Sequence, residues 1–175
     1  MGSLSGRITR MQCQMTEETY NQCVDNHADN LYRFVLKSIK DRDRASDIIQ
    51  DAFERLWRYK DRVDPAKAKS YLFTTTYHLL IDELNKGKRT VSIETEAPMG
   101  HHTSNSYSDL KEILQRGLEQ LPDDQKMVLM LRDYEGYSYE EIHEITGLSE
   151  SQVKVYIYRA RVSMKKYLGK MEAVI

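Results

Sequence analysis

Apolar residues recur at helical spacing along most of the chain. The clearest pattern places apolar side chains at offsets 0, 3, 4, 7, 8, 11 and 12, namely Ala45, Ile48, Ile49, Ala52, Phe53, Leu56 and Trp57. A helix with 3.6 residues per turn sets all of them on one face, so this segment predicts an amphipathic helix with one buried side. An earlier helix, the first in the chain, is predicted from Glu17 to about Ile39. A third follows Pro65, which suits a first helical turn, and runs to about Leu84.

The polar joint between the first two helices and the outer face of the second also have regular patterns. In Asp41-Arg42-Asp43-Arg44, Asp43 is the predicted N-cap. The side of the second helix opposite its apolar stripe presents Asp47, Gln50, Asp51 and Glu54, at offsets 0, 3, 4 and 7. Solvent exposure explains most acidic stripes of this kind. A compact stripe that includes a glutamine also suits a protein partner, and these residues alone leave both interpretations open.

The third predicted helix has an unusual polar content. It is rich in hydroxyl and aromatic side chains, namely Ser70, Tyr71, Thr74, Thr75, Tyr77 and His78. Successive β-branched threonines lower helix propensity, whereas hydroxyls and aromatic rings suit contacts with unstacked nucleic-acid bases. The helix ends in Lys86, Gly87, Lys88 and Arg89. This basic end is explained equally well by complementation of the helix dipole before a glycine stop and by a phosphate clamp.

A helix-turn-helix is encoded between Leu121 and Arg161. Ser138 is followed three residues later by Glu141, and Ser149 by Gln152, which is the spacing of the capping box at a helix N-terminus. Gly147 between them suits a left-handed position that ends the first helix. A short helix, a tight turn and a second helix are therefore predicted, and in this arrangement the second helix enters the DNA major groove.

The sign of the charge inverts where the second helix of this motif begins. From Asp123 to Glu150 there are eight acids and two bases, whereas from Lys154 to Lys170 there are six bases and no acid. A helix that faces DNA phosphates needs this positive charge. A basic helix at the C-terminus also complements the helix dipole, but that does not explain two capping boxes around a glycine turn.

Composition narrows the fold and the class of protein. The chain has 175 residues, 40% of them hydrophobic, with few glycines and prolines and a net charge of −1. The near-neutral total does not by itself indicate nucleic acid. We predict an all-α fold of two small helical domains joined by a flexible linker rich in small polar residues. The predicted ranges are residues 16–89, 90–108 for the linker and 109–170.

No cofactor or metal site is predicted. Cys13 and Cys23 have no neighbours at metal-ligand spacing, and the adjacent His101 and His102 lie in the predicted linker, where they cannot close a coordination shell. Free thiols, the lack of an apolar run near eighteen residues and the lack of a signal-peptide pattern predict a cytoplasmic protein without membrane insertion.

Three runs together resemble a known family. They are Leu31-Tyr32-Arg33-Phe34 with Ala45 to Phe53, then Tyr71-Leu72-Phe73 with Leu79 to Asp82, and finally Leu121-Pro122 with Ser138 to Ile142 and Tyr158 to Arg161. In this order, with a polar linker before the third, they resemble the bacterial RNA polymerase sigma factors of the sigma-70 family, extracytoplasmic-function class. The resemblance covers about residues 17–89 and 109–168.

The resemblance implies a function and a set of partners. Such a factor binds core RNA polymerase, recognises a promoter, melts its −10 element and starts transcription, and is typically held inactive by an anti-sigma factor. The first domain is implied to bind the core enzyme and the −10 element, and the second to bind the −35 element. The acidic stripe matches the helix that docks on the clamp helices of the largest polymerase subunit.

The resemblance also assigns site residues. The residues implied to bind −10 DNA are Arg58, Lys60, Lys67, Ser70, Tyr71, Thr74, Tyr77, His78, Lys86, Lys88 and Arg89, and the loop from Arg58 to Lys69 is implied to capture a flipped base. On the predicted recognition helix, Val153, Ile157, Ala160 and Met164 form the inward stripe. The residues expected to contact −35 DNA are Ser151, Lys154, Val155, Tyr158 and Arg159.

The sequence departs from the family pattern at a few positions. Tyr71 stands where tryptophan is usual, Thr74 and Tyr77 where basic residues are frequent, and His78 where asparagine is found, so the −10 bases that are read stay open. His143 replaces a usual alanine in the first helix of the helix-turn-helix. It is expected either to loosen the packing there or to form a local hydrogen bond.

Three other classes of protein were weighed against a sigma factor. A helix-turn-helix regulator that binds duplex DNA without core polymerase accounts for the C-terminal motif but not for the acidic and hydroxyl-rich helices. An enzyme is not favoured, because the five histidines are scattered and no nucleophile motif or phosphate-binding loop is present. An interaction adaptor is compatible with the acidic stripe alone.

Overall fold

The computed structural model of the protein describes residues 14–90 and 106–172, and within these ranges all regular secondary structure is helical. The helices are α1 (Glu17–Ile39), α2 (Arg42–Arg58), α3 (Ala68–Thr90), α4 (Ser106–Glu119), α5 (Asp123–Asp133), α6 (Tyr139–Thr146) and α7 (Glu150–Glu172). A single 3-10 turn, Pro65–Lys67, leads into α3. We refer to residues 14–90 as the N-terminal domain and to residues 106–172 as the C-terminal domain. The predicted all-α fold is confirmed.

Local side chains set where the first two helices begin. Thr16 caps α1 by accepting a hydrogen bond from the amide of Thr19 at 3.2 Å. Asp41, not Asp43, caps α2: its backbone is extended and its Oδ1 accepts from the amides of Asp43 and Arg44, both at 3.1 Å. The prediction of Asp43 was wrong because that residue already lies in the first helical turn, where its own amide needs the cap.

The N-terminal domain buries one face of each of its helices. Its core contains Leu31, Phe34 and Val35 of α1, Ala45, Ile48, Ile49, Ala52, Phe53 and Leu56 of α2, and Leu72, Phe73, Thr76 and Leu80 of α3. The predicted stripe of α2 is therefore buried except at its end, where Trp57 is 40% exposed. Its ring packs edge-on against Tyr20 near the start of α1, with centroids 4.9 Å apart.

Helix α3 continues past the predicted glycine stop. Gly87 lies inside the helix, which ends at Thr90. Within the described ranges, the glycines with positive φ are Gly136 and Gly147, so Gly87 keeps a helical backbone. Glycine inside a helix costs only about 0.5–1 kcal/mol relative to alanine, which is too little to end a long packed helix.

The C-terminal domain is built around α5 and α7. Its core includes Leu118, Met127, Leu131, Ile142, Ile145, Val153, Ile157 and Ala160. Helices α4 and α7 approach closely at Gly117, where an added Cβ would lie 3.0 Å from Met164 Sδ. Glycine at this position therefore favours the close approach of the two helices, and any larger residue requires the Met164 side chain to shift. No helix in the described ranges is long and apolar enough to cross a membrane.

The two domains pack against each other. A continuous cluster of buried residues runs from α1, α2 and α3 into α5, α6 and α7. Phe73 of α3 meets Tyr137, which precedes α6, with ring centroids 5.2 Å apart. Since α3 ends at Thr90 and α4 begins at Ser106, most of the predicted linker, together with His101 and His102, lies outside the described residues.

Candidate nucleic-acid interface

An acidic surface covers the outer side of α2. Asp47, Gln50, Asp51 and Glu54 are all exposed, as the helical spacing predicted. Glu54 pairs with Arg58 one turn later, at the basic end of the helix. The surface ends beside the half-exposed Trp57, whose ring centroid lies 3.8 Å from Lys60 Nζ. Acidic groups around an aromatic edge suit a basic protein surface better than they suit DNA.

A cleft opens where α2, the 3-10 turn and α3 meet. It has a volume of about 650 Å³ and is lined by Tyr59, Arg62, Val63, Asp64, Lys67, Ser70, Tyr71 and Thr74. Ligand sites for small molecules span about 300–1,000 Å³, so a single nucleobase can enter. Of the predicted −10 residues, the structure brings Lys67, Ser70, Tyr71 and Thr74 together here.

Two residues that line this cleft were not predicted from the sequence. Tyr59 and Asp64 were not singled out, although both line it. Asp64 caps the 3-10 turn by accepting from the amide of Ala66 at 2.9 Å, which holds its carboxylate in place. The sequence Asp64-Pro65 could have indicated the role of Asp64, because an aspartate before a proline is typical of a capped helical turn.

The remaining predicted −10 residues are divided between surface and interior. His78 and Lys86 are exposed, as are Arg58 and Lys67. Tyr77 is only 5% exposed, so its predicted place on the open face of α3 was wrong. Its ring belongs to the buried cluster that α3 shares with the C-terminal domain, and burial raises its pKa to about 12. The side chains of Lys88 and Arg89 lie outside the described residues.

The helix-turn-helix has the predicted caps. Ser138 Oγ accepts from the amide of Glu141 at 3.1 Å while Glu141 Oε2 accepts from the amide of Ser138 at 2.7 Å. These hydrogen bonds hold the pKa of the Glu141 carboxyl below its ordinary value. Ser149 and Gln152 form the same reciprocal pair at 3.2 and 2.9 Å.

The turn between the two helices is held by Gly147 and His143. Gly147 adopts φ +75°, the left-handed conformation predicted for it, and its amide donates to the carbonyl of His143 at 2.8 Å. The ring Nδ1 of His143 lies 2.6 Å from the carbonyl oxygen of Leu148. Of the two expectations for His143, the structure supports the local hydrogen bond, since the ring is exposed and does not separate α6 from α7.

Helix α7 has one buried and one exposed face. Val153, Ile157 and Ala160 are buried and Met164 is half-buried, as predicted for the inward stripe. The residues expected to contact −35 DNA, namely Ser151, Lys154, Val155, Tyr158 and Arg159, are all exposed. Tyr158 is 70% exposed and Val155 is 42% exposed, so apolar surface faces outward beside two cations.

Some basic side chains of α7 form ion pairs within the protein. Arg161 forms an ion pair with Asp133 of α5, with 2.6 Å between Nη2 and Oδ1, and this pairing raises the pKa of the guanidinium. Its role is to hold α7 on α5. Lys154 Nζ lies 3.9 Å from Glu150 Oε2 on the preceding turn. Among the described residues, neither Lys154 nor Arg159 forms an ion pair with another helix, so these two exposed cations are the better candidates for contacts with DNA.

Comparison with known proteins agrees with this geometry. The model of sigma-70 region 2 matches residues 23–90, and that of sigma-70 region 4 matches residues 111–164. The chain is 31% identical over 160 residues to the RNA polymerase sigma factor SigV of Bacillus subtilis, covering 90% of this chain and 95% of that one. It is 28% identical over 153 residues to the sigma factor SigM of the same organism, covering 84% and 93%.

Two solved structures share the fold across both domains. The sigma factor RpoE from Bartonella quintana, solved with the anti-sigma factor NepR, gives a TM-score of 0.72 at 23% identity and covers 87% of this chain and 98% of that one. CnrH, solved with the cytosolic domain of CnrY, gives 0.67 at 20% identity and covers 89% and 90%. The chain therefore belongs to the sigma-70 family of RNA polymerase sigma factors, in the extracytoplasmic-function class, and acts in transcription initiation.

Proposed function

We propose that this sigma factor works through three surfaces that are divided between two domains. Residues 16–89 bind core RNA polymerase and the −10 element, residues 109–170 bind the −35 element, and residues 90–108 connect them. The observation that supports this division best is the base-sized cleft of about 650 Å³ directly beside the predicted strand-binding residues of α3. A helix-turn-helix regulator of duplex DNA has no use for such a cleft.

The acidic stripe of α2 is the proposed docking surface for the core enzyme. Its four residues, Asp47, Gln50, Asp51 and Glu54, are exposed on one side of one helix. Reversing one charge in such a surface both removes an attraction and adds a repulsion. We expect Asp51→Lys to weaken binding to core polymerase by at least about tenfold, with the effect shrinking as salt is raised.

The matched control is Asp25→Lys, which makes the same charge change at an exposed position on α1. Binding of labelled protein to core enzyme, measured by fluorescence anisotropy at two salt concentrations, separates the two variants. Equal affinities for Asp51→Lys and Asp25→Lys would remove α2 from the docking surface.

The cleft before α3 is the proposed site for a flipped −10 base. Tyr59 and Tyr71 supply rings for stacking, Arg62 and Lys67 supply positive charge for the backbone, and Asp64 supplies a fixed acceptor. Stacking of one base on an aromatic side chain contributes about 1–3 kcal/mol. This offsets the cost of a few kcal/mol for extracting a base from the duplex.

The test compares two substitutions at one position. Tyr71→Phe keeps the ring and Tyr71→Ala removes it. If the ring stacks on a base, Tyr71→Phe still melts the promoter, whereas Tyr71→Ala reduces promoter melting by about five- to 100-fold. Melting is followed by 2-aminopurine fluorescence in the non-template strand of a promoter bound by holoenzyme. Equal melting by both variants would show that the ring of Tyr71 does not stack on a base.

The exposed face of α7 is the proposed −35 surface. Ser151, Lys154, Val155, Tyr158 and Arg159 share it. Arginine suits the two acceptors of guanine, and valine suits the methyl group of thymine, whereas the flexible point charge of a lysine suits a phosphate. We therefore assign base contacts to Arg159 and Val155 and a backbone contact to Lys154.

We also propose the setting in which the factor works. Both solved relatives are bound to anti-sigma factors or to the cytosolic domain of a partner, and we propose that an anti-sigma factor holds this chain as well. The proposed compartment is the cytoplasm, and the factor acts by binding without catalysing a reaction itself. Co-purification of an anti-sigma factor with the tagged chain, released when transcription is induced, is the expected result.

A further inference from the structure

Asp64 holds a hydrogen-bond acceptor in place on the wall of the cleft before α3. Its Oδ1 accepts from the amide of Ala66 at 2.9 Å, which caps the 3-10 turn and restrains the carboxylate. Among the described residues, its Oδ2 has no hydrogen-bond partner or ion pair. Since a carboxylate has no proton to donate, Asp64 offers a ligand in the cleft an acceptor and no donor.

Thr74 presents a second acceptor to the same cleft. Its hydroxyl donates to the carbonyl of Ser70, one helical turn earlier, at 2.8 Å. A hydroxyl has a single proton, so this hydrogen bond uses the only donor of the side chain and leaves Thr74 Oγ1 able to accept. Two side chains that line the cleft, one before α3 and one on it, therefore have the same hydrogen-bonding polarity.

The other polar side chains of the cleft do not fix a polarity. The hydroxyl groups of Ser70 and Tyr71 can each donate or accept, because the hydrogen turns to suit the partner. Arg62 and Lys67 are exposed cations on long side chains, which suit the phosphates on either side of a base. The fixed hydrogen-bonding groups of the cleft are therefore the two acceptors.

The four DNA bases differ in how they meet fixed acceptors. A base that leaves the stack is read by hydrogen bonds along its Watson–Crick edge. Adenine, cytosine and guanine each carry an exocyclic amine on that edge, whereas thymine has only a ring N–H between two carbonyl oxygens. A carbonyl oxygen held against the Asp64 carboxylate is repelled, and both groups lose the hydrogen bonds that they make with water. Fixed acceptors therefore favour an amine-bearing base.

We propose that the cleft selects a base with an exocyclic amine and rejects thymine, and that Asp64 is the residue that determines this specificity. The proposal rests on the proposed capture of a −10 base in this cleft. Well-matched hydrogen bonds to a base edge change affinity by about five- to 100-fold. We expect holoenzyme to bind a −10 strand with thymine at the captured position more weakly, by this factor, than the same strand with the best amine-bearing base.

The first experiment locates the captured position. Holoenzyme is bound to labelled forked promoter DNA whose single-stranded non-template −10 segment carries an abasic site at each position in turn. At the captured position, loss of the base weakens binding by the wild type but not by Tyr71→Ala, since the ring and the base act as one coupled pair. If no position behaves in this way, the cleft captures no base, and the proposed function of the cleft fails together with its specificity.

Base analogues then test the amine on the DNA, with the wild-type chain. The four bases are compared at the captured position by fluorescence anisotropy, and the preferred base is compared with the analogue that lacks only its amine: purine for adenine, 2-pyrimidinone for cytosine or hypoxanthine for guanine. We expect the analogue to bind as weakly as thymine. Full binding of thymine or of the analogue, at a position that depends on Tyr71, overturns the specificity and leaves the capture of a base intact.

Asp64→Asn reverses the polarity at this point of the wall and keeps the cap. Asparagine is as effective an N-cap as aspartate, so its Oδ1 still accepts from Ala66, while Nδ2 places a donor where the free oxygen stood. A donor there suits a carbonyl oxygen of thymine, and we expect the discrimination against thymine to fall by at least about fivefold.

The matched control is Asp61→Asn, which makes the same change at an exposed position of the same loop outside the lining of the cleft. It is expected to keep the wild-type preference. Equal preferences in the wild type, Asp64→Asn and Asp61→Asn would remove Asp64 as the determinant of specificity. Circular dichroism and binding to core polymerase, both expected to be unchanged in Asp64→Asn, separate a changed preference from a loss of folding.

Discussion

Replacing Gly147 with alanine tests whether the turn of the helix-turn-helix depends on backbone conformation alone. Gly147 has φ +75°, and a Cβ built on it meets nothing within 4 Å. No steric contact therefore contributes to the cost of the substitution. What remains is the strain of an L-residue in the left-handed region, about 1–2 kcal/mol.

Gly169 provides the matched control in the same domain. An added Cβ again meets nothing within 4 Å, but this glycine lies in α7 with no positive φ. Alanine there is expected to stabilise the helix by up to about 1 kcal/mol, less any loss from fraying of the last turn. The two substitutions add the same methyl group and are expected to change stability in opposite directions.

Urea denaturation and thermal denaturation, both followed by far-ultraviolet circular dichroism, measure the change in stability of each variant. For a chain of this size, each kcal/mol shifts the midpoint of thermal unfolding by about 2–4 °C, so Gly147→Ala is expected to lower it by about 2–8 °C. The reasoning is refuted if Gly147→Ala is as stable as the wild type while Gly169→Ala is more stable. That result would mean that the turn accepts another conformation and does not fix the angle of α7.

Three further predictions follow from the site. Ser138→Ala removes the cap of α6 and is expected to cost about 0.5–2 kcal/mol in urea denaturation, with Ser163→Ala on the exposed face of α7 near zero. Arg159→Ala in holoenzyme is expected to lose about 1–3 kcal/mol of binding to −35 DNA, and unchanged affinity would remove Arg159 from the site. Burial raises the pKa of Tyr77 to about 12. The stability contributed by its neutral phenol is therefore complete below the unfolded pKa near 10 and is lost as the pH rises toward about 12. The unfolding free energy of the wild type should fall more steeply above about pH 10 than that of Tyr77→Phe, and parallel curves would contradict this.

The spacing of capping residues and the position of a glycine predicted the helix-turn-helix correctly. The reciprocal bonds of Ser138 with Glu141, and the left-handed backbone of Gly147, involve residues within a few positions of one another. Their geometry depends on the local backbone, and a spacing in the sequence is enough to predict it. The N-cap of α2 was predicted wrongly as Asp43, because Asp41 and Asp43 are both suitable N-cap residues and the sequence does not show which of them has an extended backbone.

Helical periodicity predicted which face of a helix is buried, but it did not predict where along the helix that burial ends. The stripe of α2 is buried as predicted up to Leu56, whereas Trp57 is 40% exposed although its ring contacts Tyr20 of α1. On α3, the sequence pattern does not show that the C-terminal domain packs against one side of the helix. Tyr77 was assigned to the open face for this reason.

The sequence by itself determined the helices, their caps, the outward acidic stripe of α2 and the two faces of α7, because each depends on spacing within one helix. The tertiary structure alone decided the cleft formed by Tyr59, Asp64 and Tyr71, the burial of Tyr77 and the use of Lys126 to cap α1. These features join residues that are distant in the chain. Their positions follow from the packing of whole helices against one another, which no local pattern specifies.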